Sequence, residues 1–210
     1  MEKTNKLTPL QHQFIAQDIC KIEIEPLQHI DKMTMIIENY GPFEKGRKYT
    51  VPIWLAIHLK KMKMCRIVIP DWLILSSLEL IYNEEQNKRI NGEETDEDSL
   101  TPLPYYYQEI AYLLMKHAED DFTDIDNVRS AFEDIRIKRM DKLRGNLMII
   151  DEDSETVVFE NVGATELTLI RDAVVRIFDA IAEMSNTVDK LTEVDYSHNL
   201  RNAYIESQYD

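Results

Sequence analysis

The side chains that could bind a metal or act as nucleophiles are few and scattered. The five histidines stand far apart, and no two have the spacing of a helical HxxxH metal motif. Neither Cys20 nor Cys65 lies in a CxxC pair. The chain has no G-x-S-x-G, no P-loop and no G-x-G-x-x-G. We therefore expect no catalytic residue, no metal site and no cofactor.

Carboxylates are abundant but occur in runs. The run 151–155 resembles the start of a calcium loop, but Thr156 and Val162 stand where an EF-hand needs Gly and a bidentate Glu. A catalytic carboxyl pair needs one desolvated member, whereas neighbours in a charged run stay hydrated. We interpret 93–98 and 151–155 as solvated acidic loops and predict that the protein is not an enzyme.

The charge of the chain is strongly negative but unevenly distributed. There are 24 basic and 39 acidic residues, a formal net charge of −15, which disfavours nucleic-acid binding through overall charge. Between 40 and 70 the balance reverses, with seven basic residues against Glu44 alone. The basic segment 45–66 could bind nucleic acid or an acidic partner, or it could be a solvated face.

A second basic cluster lies on a helix predicted to start near Thr123 or Asp124. Three-residue spacing places Arg136, Arg139 and Lys142 on one helix face. That face could pair with the carboxylates of a partner or with the acidic loops of the chain itself. We expect partner contact through charge pairing. The candidates are Arg136, Arg139, Lys142 and Arg144.

Helix and strand signals divide the chain into two parts. Thr8-Pro9-Leu10-Gln11 predicts a capped helix that ends before Cys20. Strands are predicted over 20–26, 33–38 and 48–51, with the Gly41-Pro42 turn between the last two and a short amphipathic segment over 54–59. Helices are predicted over 71–87, from Pro104 to His117, and from Thr123 or Asp124 onward.

The last predicted helix has the strongest periodicity. Its apolar residues recur at alternating spacings of three and four: Leu167, Ile170, Val174, Ile177, Ile181, Met184, Val188 and Leu191. This seam is typical of a core helix or of a helix that docks on a partner chain, and both hold in an obligate subunit. The predicted fold is α+β, mainly α. We predict a small β-rich domain with an N-terminal helix over 1–62, a helical assembly domain over 63–195 and a mobile tail over 196–210.

Compartment and membrane signals agree with this organisation. With 44% apolar residues and five Gly, the composition excludes collagen and whole-chain disorder. The longest uncharged apolar stretch, 49–59, is too short to span a bilayer, and the N-terminus shows no secretory h-region. Two isolated cysteines suit a reducing compartment.

Two stretches form a specific pattern. The first is Gly41-Pro42-Phe43, then VPIWLAIHLK over 51–60, then Cys65-Arg66 and Pro70-Asp71-Trp72-Leu73. The second is TPLPYY over 101–106, then Leu113-Leu114, His117-Ala118, Arg139 and Lys142-Leu143-Arg144. In order and spacing they resemble the Psf-two family of GINS, the eukaryotic DNA replication complex. The motif residues that we interpret as structural are Pro52, Trp54, Leu55, Cys65, Arg66, Pro70 and Trp72.

The resemblance implies a non-catalytic subunit of a heterotetramer with Psf-one, Psf-three and Sld-five types. That complex joins the Mcm hexamer and the Cdc-forty-five protein in the replicative helicase, in the nucleus, with no membrane and at most indirect DNA contact. Tyr105 and Tyr106 are candidate interface anchors, because tyrosine is enriched at interfaces. Leu167, Ile170, Val174, Ile177 and Ile181 are candidates through their seam.

Overall fold

The computed structural model describes residues 7–87, 100–147 and 158–184. These residues form six α-helices, two short 3₁₀ turns and five short strands. The helices are α1 Pro9–Ile19, α2 Ile53–Lys61, α3 Leu75–Asn87, α4 Tyr107–His117, α5 Ile125–Leu147 and α6 over 164–184. The strands are β1 Lys21–Pro26, β2 Met33–Thr34, β3 Asn39–Tyr40, β4 Tyr49–Pro52 and β5 Cys65–Ile67. The α+β, mainly α class is confirmed.

Helix α1 begins as its sequence predicts. The Thr8 hydroxyl accepts the Gln11 N–H, and the Gln11 side chain accepts the Thr8 N–H, which completes a capping box with Pro9 in the first turn. His12 and Ala16 are the buried residues of this helix. The helix packs against α4 and α2.

The sheet is small and antiparallel, in the order β4-β1-β5. In β1, buried Ile22 and Ile24 alternate with exposed Lys21 and Glu23, as the sequence predicts. β5 forms one edge, where the Asp121 carboxylate accepts the Ile67 N–H at 2.8 Å and covers an otherwise open strand donor. The sheet therefore extends to Ile67, past the predicted domain boundary at 62.

The predicted strand over 33–38 is wrong. Met33–Thr34 pairs with Asn39–Tyr40, so the chain reverses within 35–38 and forms a separate two-stranded hairpin. Ile36 and Ile37 stand fully exposed at its tip. An apolar run forms a buried strand only where a neighbouring element covers it, and nothing in the described structure covers this tip.

One hydrophobic core runs from the sheet into the helical part. Ile24 of β1, Leu55 of α2, Leu114 of α4 and Ile135 of α5 belong to the same buried cluster. A smaller cluster joins Ile170 of α6 to Leu100, Leu143 and Leu147. α3 lies along α5, and α5 begins after Asp124, whose carboxylate accepts the Asn127 N–H at 3.3 Å.

Several predicted features lie outside the described residues. They are the acidic loops 93–98 and 151–155, the last seam positions Val188 and Leu191, and the tail 196–210. Among the described helices, none combines the length and apolarity needed to cross a membrane.

Candidate functional site

The motif residues around α2 are mainly packing residues. Leu55 and Pro52 are buried, and half-buried Trp54 meets Tyr40 edge to face with ring centroids 5.8 Å apart. Half-buried Trp72 also packs on the main core. These contacts join the hairpin and the 3₁₀ turn after Pro70 to the helices.

Cys65 and Arg66 alternate in β5, so their environments differ. The Cys65 thiol is buried with its Sγ 3.8 Å from the Ala56 carbonyl oxygen, and burial raises its pKa to about 11. A thiol with so high a pKa is a poor nucleophile at neutral pH. Arg66 points outward and is exposed. The structural interpretation therefore suits Cys65, whereas Arg66 belongs to the basic surface.

The basic segment is partly neutralised by the chain itself. Lys60 Nζ lies 2.9 Å from an Asp120 carboxylate oxygen and 2.7 Å from one of Asp121. Lys61 and Lys63 are exposed beyond it at the end of α2. There Lys63 adopts φ +57°, and its N–H donates to the Lys60 carbonyl at 2.8 Å in the turn that closes the helix.

The centre of the helical part is a buried ionic cluster around Arg139, whose side chain is fully buried. Its Nε and Nη2 donate to the two carboxylate oxygens of Glu166 at 2.9 and 3.0 Å. Its Nη1 donates to Glu85 at 3.2 Å and to the Thr101 carbonyl at 2.9 Å, and its Nη2 also donates to the Asn161 carbonyl at 2.7 Å. All five guanidinium donors are thus satisfied.

Glu85 receives the second cation of the cluster. Lys142 Nζ donates to its Oε2, and the Thr101 N–H donates at 2.8 Å to its Oε1, the oxygen that also accepts from Arg139. Burial alone would raise the pKa of Glu85, but these hydrogen bonds and the charges of Lys142 and Arg139 together hold it below its usual value. Two cations and two carboxylates balance, so the cluster is neutral.

Tyr107 and Gly163 complete the cluster. The Tyr107 hydroxyl donates to Glu166, and its ring lies under the Arg139 guanidinium at 5.2 Å. The Gly163 N–H donates to Glu166 at 2.8 Å. A Cβ at 163 would stand 2.7 Å from the Tyr107 ring, which explains why a residue without a side chain occupies this position.

The expectation that Arg139 and Lys142 pair with a partner is therefore corrected. Both side chains are buried and pair with Glu85 and Glu166. The helix face that carries them packs on α3 and α6 and is therefore not available to another chain. Arg136 and Arg144 remain accessible, and among the described residues they form ion pairs within α5, with Glu133 at 2.7 Å and Asp141 at 3.6 Å.

Sequence reasoning missed Glu85, Glu166 and Tyr107. A signal was present for Glu85, since it continues the apolar spacing of Leu78 and Ile81 as a carboxylate at a core position. Glu166 likewise stands one turn before Ile170, on the face that starts the apolar seam. A charged residue at a core position implies a buried partner.

The seam of α6 is divided between interior and surface. Ile170 is buried, and Val174 and Ile177 pack half-buried against the smaller cluster, whereas Leu167 is 42% exposed. Ile181 is half-buried near the end of the described helix. The buried Ile170 is thus part of the chain's own core.

The two candidate tyrosines also differ. Tyr105 is 48% exposed and meets Tyr106 edge to face at 4.8 Å, and its carbonyl accepts the Ala164 N–H at 2.8 Å. Tyr106 is half-buried and faces the ring of His12 at 6.5 Å. Tyr105 therefore presents the more accessible ring.

The polar groups of the ionic cluster around Arg139 are taken up by contacts inside the chain. The donors of Arg139 are consumed by internal acceptors. Within the described ranges, no group of three or more His, Cys, Asp and Glu side chains could hold a metal ion. What the cluster does is hold α3, α5 and the start of α6 together.

Comparison with known families agrees with this architecture. Residues 81–185 match the GINS complex protein helical bundle domain, so the helical part has the bundle of GINS complex proteins. Residues 8–68 match the PSF2 N-terminal domain. The chain belongs to the PSF2 family of GINS complex proteins.

Individual relatives cover much of the chain. It is 29% identical to the DNA replication complex GINS protein psf2 of Schizosaccharomyces pombe over 84% of this chain and 90% of the relative. It is 30% identical to the probable DNA replication complex GINS protein PSF2 of Drosophila melanogaster over 83% and 82%. The Homo sapiens PSF2 protein is 35% identical over 59% of this chain and 62% of its own length.

Proposed function

We propose that this chain is a non-catalytic structural subunit of a GINS heterotetramer, together with subunits of the Psf-one, Psf-three and Sld-five types. Through that complex it joins the Mcm hexamer and the Cdc-forty-five protein in the active replicative helicase. It acts in the nucleus, in initiation and elongation of chromosomal DNA replication.

The observation that carries the proposal is the use of the buried charges. The ion pairs of this cluster hold three helices together, as in a scaffold; its members are Arg139, Lys142, Glu85 and Glu166. Membership of the PSF2 family supports the GINS complex as the assembly in which this scaffold acts. Accessible groups remain for partners. They are Arg136, Arg144, Tyr105, Leu167 and Ile181.

Reconstitution tests the helicase part of the proposal. The purified four-subunit complex is mixed with the Mcm hexamer, the Cdc-forty-five protein and ATP, and unwinding of a fluorescent forked DNA is measured. We expect unwinding only when the complex contains this chain. Equal unwinding by a mixture that lacks it would contradict the proposal.

A second candidate is a nucleic-acid-binding surface at the basic segment. Burial, followed by the charges of Lys61 and Lys116, lowers the pKa of His117, which reflects the positive charge of these two lysines where α2 and α4 end. Exposed Lys61 and Lys63 extend this basic surface, whereas Lys60 is occupied by Asp120 and Asp121. The same surface suits an acidic segment of a partner.

A further inference from the structure

A shallow groove of about 210 Å³ lies where α1 and α4 meet the start of α6. We call it the α1 groove. Pro9, Leu10 and Gln13 line it from α1, and Gln108, Glu109, Tyr112 and Thr165 complete it. Gln108 Nε2 donates to the Tyr107 hydroxyl at 3.0 Å, so one wall of the groove borders the ionic cluster around Arg139.

Glu109 brings a buried carboxylate to this groove. The residue is 4% exposed, and its Oε1 accepts the Thr165 hydroxyl at 2.6 Å. Its Oε2 has no hydrogen-bond partner among the described residues. A buried carboxylate oxygen without a donor is costly, by about 1 to 3 kcal/mol or more. The oxygen therefore has an unmet requirement for a hydrogen-bond donor.

A second unpaired polar atom lies at the same three-helix junction. The Thr168 hydroxyl donates to the Ala164 carbonyl at 3.0 Å, so it accepts from His12 Nε2 at 2.9 Å. The other ring nitrogen, His12 Nδ1, is buried and has no partner in the described structure. The unpaired carboxylate oxygen of Glu109 requires a donor, so an anion does not fit beside it.

The rim of the groove is apolar and exposed. Leu10, which lines the groove, is 75% exposed, and Phe14, one helical turn further along α1 and beside the lining residues, is 74% exposed. Tyr112 stands across the groove on α4 and is 39% exposed. Scattered exposed apolar residues are ordinary, but a stripe beside a groove with a buried unpaired carboxylate is typical of a protein-binding site.

We propose that the α1 groove docks a segment of another GINS subunit in which apolar side chains flank one Lys or Arg. The apolar side chains cover Leu10, Phe14 and Tyr112, and the cation pairs with the carboxylate of Glu109, which lines the groove. The inference rests on the proposed function, because the partner is a subunit of the same complex. A bare cation would meet only one carboxylate here, whereas a protein segment satisfies the rim as well.

A charge introduced on the rim tests the docking surface. The Leu10→Glu and Phe14→Glu variants are co-expressed with the other three subunits, and the affinity of each for the three-subunit remainder is measured. The matched control is Leu80→Glu, which changes an apolar residue that is 64% exposed on α3. We expect each rim variant to bind at least about tenfold more weakly, with Leu80→Glu close to wild type. Equal affinity for rim and control variants would overturn the proposal.

The polar contact is tested by Glu109→Gln, with Glu84→Gln on the exposed face of α3 as control. The amide keeps the shape but loses the charge, so we expect about tenfold weaker binding for Glu109→Gln alone and a smaller dependence of its affinity on salt. Far-ultraviolet circular dichroism of both variants checks the fold. Wild-type affinity and salt dependence of Glu109→Gln would show that water or the chain itself satisfies Oε2 and would overturn the cation contact.

Photo-crosslinking gives an answer that does not depend on folding of the variants. With benzoylphenylalanine at Gln13 in the assembled complex, we expect a crosslink to a peptide of another subunit that contains Lys or Arg. A crosslink only within this chain, or to a second copy of it, would overturn the proposal. If wild-type chain does not assemble at all, the proposed function fails and the groove assignment falls with it. If the wild-type chain assembles but the chain with benzoylphenylalanine at Gln13 crosslinks elsewhere, only the groove assignment fails.

Discussion

Arg139 stabilises the helical part from its centre because it contacts elements that are distant in sequence. It joins α5 to Glu85 of α3, to the Thr101 and Asn161 carbonyls and to Glu166 of α6. A buried ion pair adds little net stability over an apolar replacement, but removing one member leaves the others buried and uncompensated. The cluster therefore specifies how these helices fit together.

The Arg139→Met substitution should be strongly destabilising. It leaves Glu85 and Glu166 with only Lys142 as a cation, so we expect a loss of about 3 to 5 kcal/mol in free energy of unfolding. Urea denaturation followed by circular dichroism measures it. Arg144→Met on the same helix is the control, since that side chain is 69% exposed and should change stability by less than about 0.5 kcal/mol. Similar losses for both would contradict the internal role.

Glu85 predicts how stability depends on pH. Because its pKa is lower in the folded chain, its contribution is complete above the unfolded-state value, near 4.5, and is lost as pH falls through the folded-state pKa. The stability difference between wild type and Glu85→Gln should therefore be largest at neutral pH and shrink below about pH 4.5. Urea midpoints from pH 3 to 7 measure it, with exposed Glu84→Gln as control. A difference that does not change with pH would contradict the assignment.

At the scale of elements, sequence patterns predicted correctly those features that depend on residues close together in the chain. The Thr8–Gln11 capping box, the alternation in β1 and the Asp124 cap before α5 all lie within a few residues of what they control. The hairpin at 33–40 and the Arg139 cluster depend on contacts between distant segments. Arg139 and Glu85 are 54 positions apart, so helix-face spacing revealed a shared face without revealing what covers it.

Helix α6 allows two predictions to be compared. Ile170 and Leu167 both belong to the apolar seam, but Ile170 is buried and Leu167 is partly exposed. Ile170 is buried beside Leu143 and Leu147, so Ile170→Ala should cost about 2 to 5 kcal/mol of unfolding free energy. Leu167 is 42% exposed, so Leu167→Ala should leave stability nearly unchanged and weaken assembly with the other subunits. Urea denaturation and a binding titration separate the two effects. If Leu167→Ala changes neither the free energy of unfolding nor assembly with the other subunits, the interpretation of α6 as part core and part interface fails.

For the whole molecule, the net charge of −15 opposes DNA binding while the exposed Lys61 and Lys63 favour it locally. In the assembled complex we expect Lys61→Glu with Lys63→Glu to leave low-salt affinity for duplex and single-stranded DNA within about twofold of wild type. Fluorescence anisotropy at several salt concentrations measures it. A steep loss of salt-dependent binding would instead favour the nucleic-acid surface.

The most direct test of the assembly role is native mass spectrometry of this chain, alone and co-expressed with subunits of the Psf-one, Psf-three and Sld-five types. The exposed Leu10, Phe14 and Leu167 lead us to expect that the isolated chain aggregates or is poorly soluble. Co-expression should yield one soluble species with a single copy of each subunit. A well-folded monomer with a high melting temperature that stays separate from the other three subunits would contradict the account.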